Sequence, residues 1–321
     1  MIKFFLDFES EVAELEGKIN ELRHLSDGKG INILDEISNL EYKTNKILKE
    51  KYSNLTPWQR VQVARHPERP HFLDYLEKIF DGFVGLSGDR KYGEDSAIVG
   101  GLAYLEGFSV MVIGQEKGED TDTRLKRNFG MARPEGYRKC SRLMQLANKF
   151  NIPIITFVDT AGAYPGIGAE QRGQSEAIAS CISTCLSVKV PIISIIIGEG
   201  GSGGAVAIAT ADKVLMLENS IYSVISPEGC ASILWKAEGY DEVAANNLKM
   251  TSEDLRNLDV IDEIVKEPLG GAHRDHEKIT KEVKIQLLNN IKHLKSSKKY
   301  DLVDKRRKKY LDFGKTLNTK L

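Results

Sequence analysis

Cysteine is scarce in this chain of 321 residues, which contains only four of them. Cys140, Cys181, Cys185 and Cys230 include no pair at the C-x-x-C spacing that structural zinc sites commonly use. Cys181 and Cys185 lie one helical turn apart, and small buried apolar side chains explain such a pair better than metal ligands do. The cysteines therefore predict no metal site.

Long apolar runs and a large charge of either sign are also missing. No segment approaches the roughly 20 apolar residues that a transmembrane helix needs, and the chain turns acidic at Asp7, too early for a secretory signal. The formal net charge of −1 disfavours nucleic-acid binding through overall charge. We therefore expect a cytoplasmic protein without a membrane or nucleic-acid partner.

Histidine is equally sparse, with six residues in the chain. His273 and His276 form an H-x-x-H pair in a polar stretch. Because no third ligand lies nearby in the sequence, we expect this pair to be solvated rather than bound to a metal.

What the chain does have at both ends is helical patterning. Apolar residues recur at steps of three and four along residues 8–22 and again along residues 33–48. Residues 1–65 are therefore predicted to form a helical hairpin that packs on the body or on a partner. Residues 271–321 are expected to be helical and lysine-rich, with the basic run at residues 305–309 either a solvated helix face or a docking surface for an acidic partner.

Between these ends, residues 66–270 alternate apolar strands with helical segments. Strands are predicted at residues 109–114, 154–159, 192–198 and 213–217, and helices at residues 134–150 and 174–186. Such alternation, with nearly all-apolar strands, is typical of an α/β fold with a buried parallel sheet and right-handed crossovers.

Two glycine-rich loops carry the functional signal. The first glycine loop (residues 160–168) follows one predicted strand, and the second glycine loop (residues 198–205) ends the next. Glycine at this density exposes backbone N–H groups and permits close approach of a ligand. Where a helix begins just after such a loop, its unpaired N–H groups and dipole favour negative charge. Each loop can therefore hold a phosphate, or an oxyanion that develops during a reaction.

The second glycine loop also matches the patterns of two other enzyme classes. Gly198-x-Gly200-x-x-Gly203 fits the dinucleotide fingerprint, but the predicted helix after it holds only about nine residues and at least two strand–helix units precede it. Gly200-x-Ser202-x-Gly204 fits a nucleophile elbow, which needs a histidine positioned at a strand end. Since no histidine here has that context, we prefer Ser202 as a cap of the following helix.

Four longer segments point to one family. They are residues 127–139 (RNFGMARPEGYRK), 159–166 (DTAGAYPG), 198–205 (GEGGSGGA) and 222–231 (YSVISPEGCA). Together with shorter matches at residues 6–9, 55–59 and 268–273, they closely resemble the carboxyltransferase α subunit of bacterial acetyl-CoA carboxylase. The resemblance extends over nearly the whole chain.

This resemblance implies a crotonase-like fold, a superhelix of strand–strand–helix repeats preceded by an N-terminal helical segment. It implies transfer of a carboxyl group from carboxybiotin, held on a biotin carboxyl carrier protein, to acetyl-CoA, which yields malonyl-CoA for fatty acid synthesis. It also implies a β subunit that carries zinc and completes the active site, an α2β2 assembly, and biotin carboxylase in the wider complex.

The resemblance assigns roles to both glycine loops. It implies an oxyanion hole for the biotin anion at Gly203 and Gly204, an approach shaped by Gly200 and Gly201, and a carboxybiotin pocket walled by Gly162, Ala163 and Tyr164. The alternative role of these glycines is a tight strand-to-helix turn with close packing. Where the family usually has proline, this chain has Ala161, which we expect to loosen the first glycine loop.

Other residues and functions stay open on the sequence alone. Arg127 and Arg133 either bind CoA phosphates or the carboxylate, or are solvated surface charges. A crotonase-type hydratase would need paired carboxylates facing the oxyanion hole, for which Glu170 and Glu176 are the candidates. A propionyl-CoA-type carboxyltransferase and a non-catalytic structural subunit are the further alternatives.

Overall fold

The computed structural model describes residues 2–25, 32–296 and 299–315. The helices are α1 (Ser10–Leu25), α2 (Asn32–Ser53), α3 (Pro57–Ala64), α4 (Phe72–Ile79), α5 (Thr121–Lys126), α6 (Pro134–Phe150), α7 (Ile167–Gln171), α8 (Gln174–Cys185), α9 (Ser202–Ala209), α10 (Pro227–Leu234), α11 (Asp241–Leu248), α12 (Ser252–Asn257), α13 (His276–Lys295) and α14 (Lys299–Leu311). The strands are β1 (Asp81–Gly85), β2 (Ile98–Leu105), β3 (Phe108–Gln115), β4 (Ile154–Thr160), β5 (Ile192–Gly201), β6 (Lys213–Leu217), β7 (Ile221–Ser223) and β8 (Glu263–Val265). Residues 1 and 26–31 of the predicted hairpin segment and residues 297–298 and 316–321 of the predicted C-terminal segment lie outside the described residues.

One sheet organises the body, in the order β1-β2-β3-β4-β5-β6-β8. The pairs β1–β2 and β2–β3 are antiparallel, whereas every pair from β3 to β8 is parallel. On its side away from β4, the long strand β5 has two partners, since its first half pairs with β6 and its last three residues pair with β7. The parallel strands β3, β4 and β5 therefore end at a common edge, next to β7.

The strand predictions succeed where the apolar signal is continuous. The four predicted strands are present as β3, β4, β5 and β6, with ends that differ by at most three residues. The antiparallel edge formed by β1 and β2, and the short strands β7 and β8, were not predicted. Glycines interrupt the apolar pattern of β1 and β2, and three residues are too few for a period to be recognised.

The central strands β4 and β5 are buried on both faces, which explains their nearly all-apolar sequences. Along β4 and β5, alternate side chains enter two separate hydrophobic clusters. Ile154 and Ile192 belong to the cluster that contains α6, α8 and α9 side chains. Ile155 and Ile193 belong to the cluster on the other face, with α4 and α13. The helix α9, which follows the second glycine loop, is thus held against one face of the central strands.

The N-terminal hairpin of α1 and α2 is tied to the body by an arginine. Arg274 follows a glycine turn before α13, and its guanidinium lies 2.6 Å from the Glu16 carboxylate and 3.3 Å from that of Glu9. Tyr52, near the end of α2, also donates to Glu9, at 3.0 Å. These contacts join α1, α2 and the start of α13 through one buried carboxylate.

The basic run at residues 305–309 is not simply a solvated face, which corrects one of the two expectations for it. Arg306 is only 1% exposed. Its guanidinium binds the Asp212 carboxylate through two contacts of 2.7 and 2.9 Å. It also donates to the backbone carbonyls of three residues before β5: Cys185, Val188 and Val190. Arg306 therefore anchors α14 to the body, while its neighbour Arg307 is exposed.

Candidate active site

The two glycine loops meet at the common edge of the parallel strands. The first glycine loop leaves the end of β4, and the second glycine loop forms the end of β5 and the start of α9. Since β4 and β5 are parallel neighbours, with Thr160 opposite Gly200, both loops emerge side by side. Loops at the carboxyl edge of an open parallel sheet are the usual place for a ligand site.

The contact between the two glycine loops is made by backbone atoms. A Cβ on Gly201 would lie 2.1 Å from the Ala161 carbonyl oxygen, and one on Gly204 would lie 2.6 Å from the Gly162 carbonyl carbon. Any side chain at either position would force the loops apart. Gly201 and Gly204 are therefore needed for close packing, whatever else they do.

Gly203 differs from these two glycines. A Cβ there would meet only the Ile178 side chain, at an ordinary contact distance of 3.6 Å. Gly203 is partly exposed in the first turn of α9, where backbone N–H groups have no acceptor within the helix. Packing thus leaves Gly203 unconstrained, and its N–H group is placed to meet a ligand at the positive end of the helix dipole.

Gly200 has a third environment. It pairs with Tyr222 of β7, and a Cβ at Gly200 would lie 2.9 Å from the Tyr222 ring. Gly198, the first glycine of the dinucleotide pattern, lies within β5, where a Cβ would meet the Asp159 carboxylate at 2.6 Å. Both glycines are strand residues that allow close packing, and the helix after them has only eight residues, so the structure does not support a dinucleotide fold.

Ser202 makes the sharp turn between β5 and α9, with a φ of +52°. The N-cap residue of α9 is Gly201, and Ser202 is already the first residue of the helix, so the predicted capping role is wrong. The hydrogen bonds of the described histidines do not include Ser202 either. Without a histidine to take its proton, Ser202 has no general base for nucleophilic catalysis.

Neighbouring helices brace the first glycine loop. Gln174, at the start of α8, donates its amide to the backbone carbonyls of Tyr164 and Ala132, at 2.9 Å each. The Arg133 guanidinium lies 4.7 Å from the centre of the Tyr164 ring, within the range of a cation–π contact. Ala163 packs against the hydrophobic cluster that contains side chains of α6, α8 and α9. Contacts at Ala163 and Tyr164 thus hold the middle of the loop.

These contacts also change the interpretation of the two arginines. Besides its contact with Tyr164, Arg133 donates to the Asn128 side chain at 3.1 Å. Arg127 donates to the Ser96 carbonyl at 2.9 Å. Both are partly buried and bound within the chain, which corrects the expectation of simple solvated charges. Arg133 therefore contacts the first glycine loop through the Tyr164 ring.

The carboxylates required by the hydratase alternative are not paired. Glu170 on α7 and Glu176 on α8 are both exposed. Glu176 accepts a hydrogen bond from Ser180, one turn further along its own helix, at 2.6 Å. This arrangement does not provide two carboxylates aimed at one substrate atom.

Sequence reasoning missed a cluster of charged residues beside the first glycine loop. A cavity of about 230 Å³ is lined by Arg65, His71, Lys117, Asp159 and Glu199, among others. The Lys117 ammonium lies 2.7 Å from the Asp159 carboxylate and 3.4 Å from that of Glu199, which in turn binds Arg65 at 2.7 Å. Asp159 is the next-to-last residue of β4 and Glu199 lies near the end of β5, so these ion pairs fix the strand ends from which both loops leave.

The charge states in this cluster follow from its contacts. Burial alone would raise the pKa of Asp159, but the Lys117 ammonium and the His71 ring hold that pKa well below its usual range. Burial would likewise lower the pKa of Lys117, but Asp159 and Glu199 raise it instead. Asp159 and Lys117 are therefore both charged at neutral pH, and neither is poised to exchange a proton.

The predicted solvated histidine pair is also wrong. His273 is 4% exposed, and its ring stacks on His66 with centres 3.8 Å apart. Glu9, His66 and His273 offer ligand atoms within 4.8 Å of one another. However, both nitrogens of His66 are used, one accepting from the Glu68 N–H and the other facing the Phe4 carbonyl. A metal would have to break these bonds, so the cluster is better explained as packing.

Comparison with known proteins identifies the family of the chain. Residues 5–314 match the model of a family described as acetyl co-enzyme A carboxylase carboxyltransferase-like. The chain belongs to this family. The acetyl-coenzyme A carboxylase carboxyl transferase subunit alpha of Paramagnetospirillum magneticum is 57% identical over 310 residues, covering 97% of this chain and 98% of the relative. That of Rhodospirillum centenum is 56% identical, with the same coverage.

Solved structures of carboxyltransferases share the fold of this chain. A transcarboxylase 12S structure has a TM-score of 0.59 at 17% identity, covering 73% of this chain and 44% of that chain. The family member therefore spans less than half of the transcarboxylase chain. The likeness confirms the predicted crotonase-like α/β fold. No helix in the described parts of the chain is long and apolar enough to cross a membrane.

Proposed function

We propose that the chain is the α subunit of an acetyl-CoA carboxylase carboxyltransferase, which transfers the carboxyl group of carboxybiotin to acetyl-CoA and forms malonyl-CoA. The observation that carries this proposal is the match of residues 5–314 to the family, together with a helix N-terminus at Gly203 that packing does not explain. Residues 66–270 are the proposed carboxyltransferase core, with the helical segments 1–65 and 271–321 attached to it.

The second glycine loop suits the chemistry of this reaction. Carboxybiotin supplies the carboxyl group, and negative charge develops on an oxygen as that group leaves. Uncharged N–H groups at the start of α9 would donate hydrogen bonds to this oxygen and stabilise its charge without a titrating side chain. We assign the role to the N–H groups of Gly203 and Gly204, with Gly200 and Gly201 shaping the turn. Backbone donors need no change of protonation, so this half of the site should work across a wide pH range.

The first glycine loop forms the proposed wall of the carboxybiotin pocket, through Gly162, Ala163 and Tyr164. Its support is the backbone contact between Gly162 and Gly204 and the bracing of Tyr164 by Arg133. A wall held this firmly orients a bound group and so reduces the entropy lost on reaching the transition state.

The proposal includes partners. A β subunit completes the active site and carries the zinc, the two subunits form an α2β2 assembly, and a biotin carboxyl carrier protein delivers carboxybiotin from biotin carboxylase. The complex is cytoplasmic. Glu170 and Glu176 are exposed rather than paired, which leaves carboxyl transfer with stabilisation by backbone donors as the better-supported chemistry.

The direct test is malonyl-CoA formation from acetyl-CoA and carboxylated carrier protein, with this chain alone and with a β subunit added. We expect activity only in the mixture. Activity of this chain alone, or none in a well-formed complex, would contradict the proposal.

Two substitutions at Gly203 then test the oxyanion hole itself. Gly203→Pro removes the N–H, and loss of one oxyanion donor typically lowers kcat by about 10²- to 10³-fold. Gly203→Ala keeps the N–H and has room for its methyl group, so its loss should be much smaller. Thermal melting of both complexes controls for folding. Equal losses in the two variants at equal stability would rule out the N–H as the active group.

A further inference from the structure

Gln115, the last residue of β3, joins the two segments that carry the glycine loops. Its side chain is completely buried. The amide nitrogen donates to the Gly204 carbonyl at 2.8 Å, and the amide oxygen accepts from the Asp159 N–H at 3.1 Å. A side-chain amide can donate at one end and accept at the other, so a single residue holds the start of α9 and the end of β4.

The Gln115 side chain makes these bonds just beyond the last backbone pairing between β3 and β4. The ladder between β3 and β4 ends at the pair Gly114 and Phe157, whereas β4 continues to Thr160. Beyond that pair, the Gln115 side chain replaces the missing backbone bonds by reaching across to the N–H of Asp159. It therefore extends the connection between the strands up to the loops.

The second glycine loop needs such a restraint more than an ordinary turn does. Glycine lacks the side chain that limits backbone rotation in other residues, and the first turn of α9 contains Gly203 and Gly204 in succession. The bond from Gln115 fixes the peptide plane that follows Gly204. Through this plane it also limits how the N–H groups of Gly203 and Gly204 can tilt.

We propose that Gln115 is a positioning residue for carboxyl transfer, acting through Gly204 to aim the N–H groups of α9 at the developing oxyanion. This inference rests on the proposed function of the second glycine loop. The Gln115 side chain is completely buried, and both ends of its amide are bound within the chain, so its loss should lower kcat more than it raises KM.

The experiment compares Gln115→Met with Thr156→Val in the complex with the β subunit. Methionine matches glutamine closely in length but makes neither hydrogen bond. Thr156 is a buried residue of β4 whose hydroxyl donates to the Ile208 carbonyl at 2.7 Å. Both variants thus remove side-chain hydrogen bonds to the same helix, Gln115→Met at its glycine-rich start and Thr156→Val near its end.

We expect Gln115→Met to lower kcat by about tenfold to a hundredfold, the range caused by small misplacements of reacting groups, with little change in KM. Thr156→Val should leave kcat nearly unchanged even though it also removes a buried hydrogen bond to α9. Equal effects of the two substitutions on kcat, or an unchanged kcat in Gln115→Met, would overturn the proposal.

A second measurement is independent of the reaction. Amide hydrogen exchange in Gln115→Met should accelerate at Asp159, whose N–H loses its acceptor, and at residues 206–208, whose N–H groups bond to the carbonyls of the first turn of α9. Thr156→Val should leave exchange at Asp159 unchanged. Unchanged exchange at residues 206–208 in Gln115→Met would refute the positioning role even if no malonyl-CoA forms. The absence of malonyl-CoA with the unmodified chain would instead count against the proposed function alone.

Discussion

The buried histidine His273 predicts a specific loss of stability at mildly acidic pH. Both ring nitrogens of His273 are buried without a hydrogen-bond partner among the described residues. Burial, together with His66, Arg69 and Arg274, lowers the pKa of His273 to about 2. In the unfolded chain the same group has an ordinary pKa of about 6.5.

The sign of the effect follows from proton binding. Because the folded pKa of His273 lies below the unfolded one, the unfolded state binds more protons at intermediate pH, and the folded state loses stability as the pH falls below about 6.5. The slope for one group is about 1.4 kcal/mol per pH unit. Lowering the pH from 7.5 to 5.5 should therefore reduce the free energy of unfolding by about 1.4 kcal/mol through His273 alone.

The substitution His273→Phe isolates this contribution. Phenylalanine keeps an aromatic ring against His66 but removes both nitrogens, so the cost of their protonation disappears. Burial also lowers the pKa of His66. Because His66 is present in both the variant and the unmodified chain, its contribution to the pH dependence of stability largely cancels when the two are compared. The stability of the variant relative to the unmodified chain should increase by about 1.4 kcal/mol between pH 7.5 and 5.5.

Urea unfolding at three pH values provides the measurement, with coincident fluorescence and circular-dichroism transitions as the check on two-state behaviour. His293, exposed on α13, supplies the matched control, since His293→Gln should follow the pH dependence of the unmodified chain. If His273→Phe loses stability with pH as steeply as the unmodified chain does, the reasoning from burial is refuted.

Two further predictions concern stability. Arg306→Met should destabilise the chain by about 3–5 kcal/mol, because Asp212 would remain as a buried charge without its partner. The control is Arg307→Met, which changes the exposed neighbour and should cost at most about 0.5 kcal/mol. Thermal unfolding measures both variants, and similar losses of stability in the two would show that α14 is not anchored by Arg306. Gly204→Ala should cost about 1–3 kcal/mol through overpacking against Gly162. Gly203→Ala should be neutral or stabilising by up to about 1 kcal/mol, and a reversed order in urea unfolding would contradict the assigned packing.

The parts of the fold that could be predicted are those encoded by neighbouring residues. Strands β3 to β6 appear in the sequence as continuous apolar runs, and α6 begins with proline at its first position. The hairpin helices show their apolar stripes directly. By contrast, β7 contains three residues and pairs only with the end of β5, so its presence depends on tertiary contacts that no short window contains.

The site residues likewise fall into those that nearby sequence indicates and those that depend on distant contacts. Glycine density identified both loops, and the family resemblance assigned their roles. The bond from Gln115 to Gly204 spans 89 residues, and that from Arg306 to Asp212 spans 94. Nothing in the sequence near either partner indicates these contacts. His273 shows the reverse error, since a polar sequence context suggested a solvated residue while stacking on the distant His66 buries it.

The four glycines of the second glycine loop that were assigned to the site, Gly200, Gly201, Gly203 and Gly204, show why residue type alone does not assign chemistry. Gly201 and Gly204 are required because backbone atoms of the first glycine loop occupy the space of a side chain, and Gly200 because the Tyr222 ring does. A structural explanation is therefore complete for three of the four. Only Gly203 has room for a side chain and lies in the first turn of a helix, so a requirement for glycine there would have to come from a ligand.

Gly204 can serve both purposes, because its lack of a side chain allows the close packing while its N–H belongs to the helix start. The case for catalysis thus depends on the N–H of Gly203, and substitutions at Gly204 cannot decide it, since any loss of activity there would also follow from separation of the two loops.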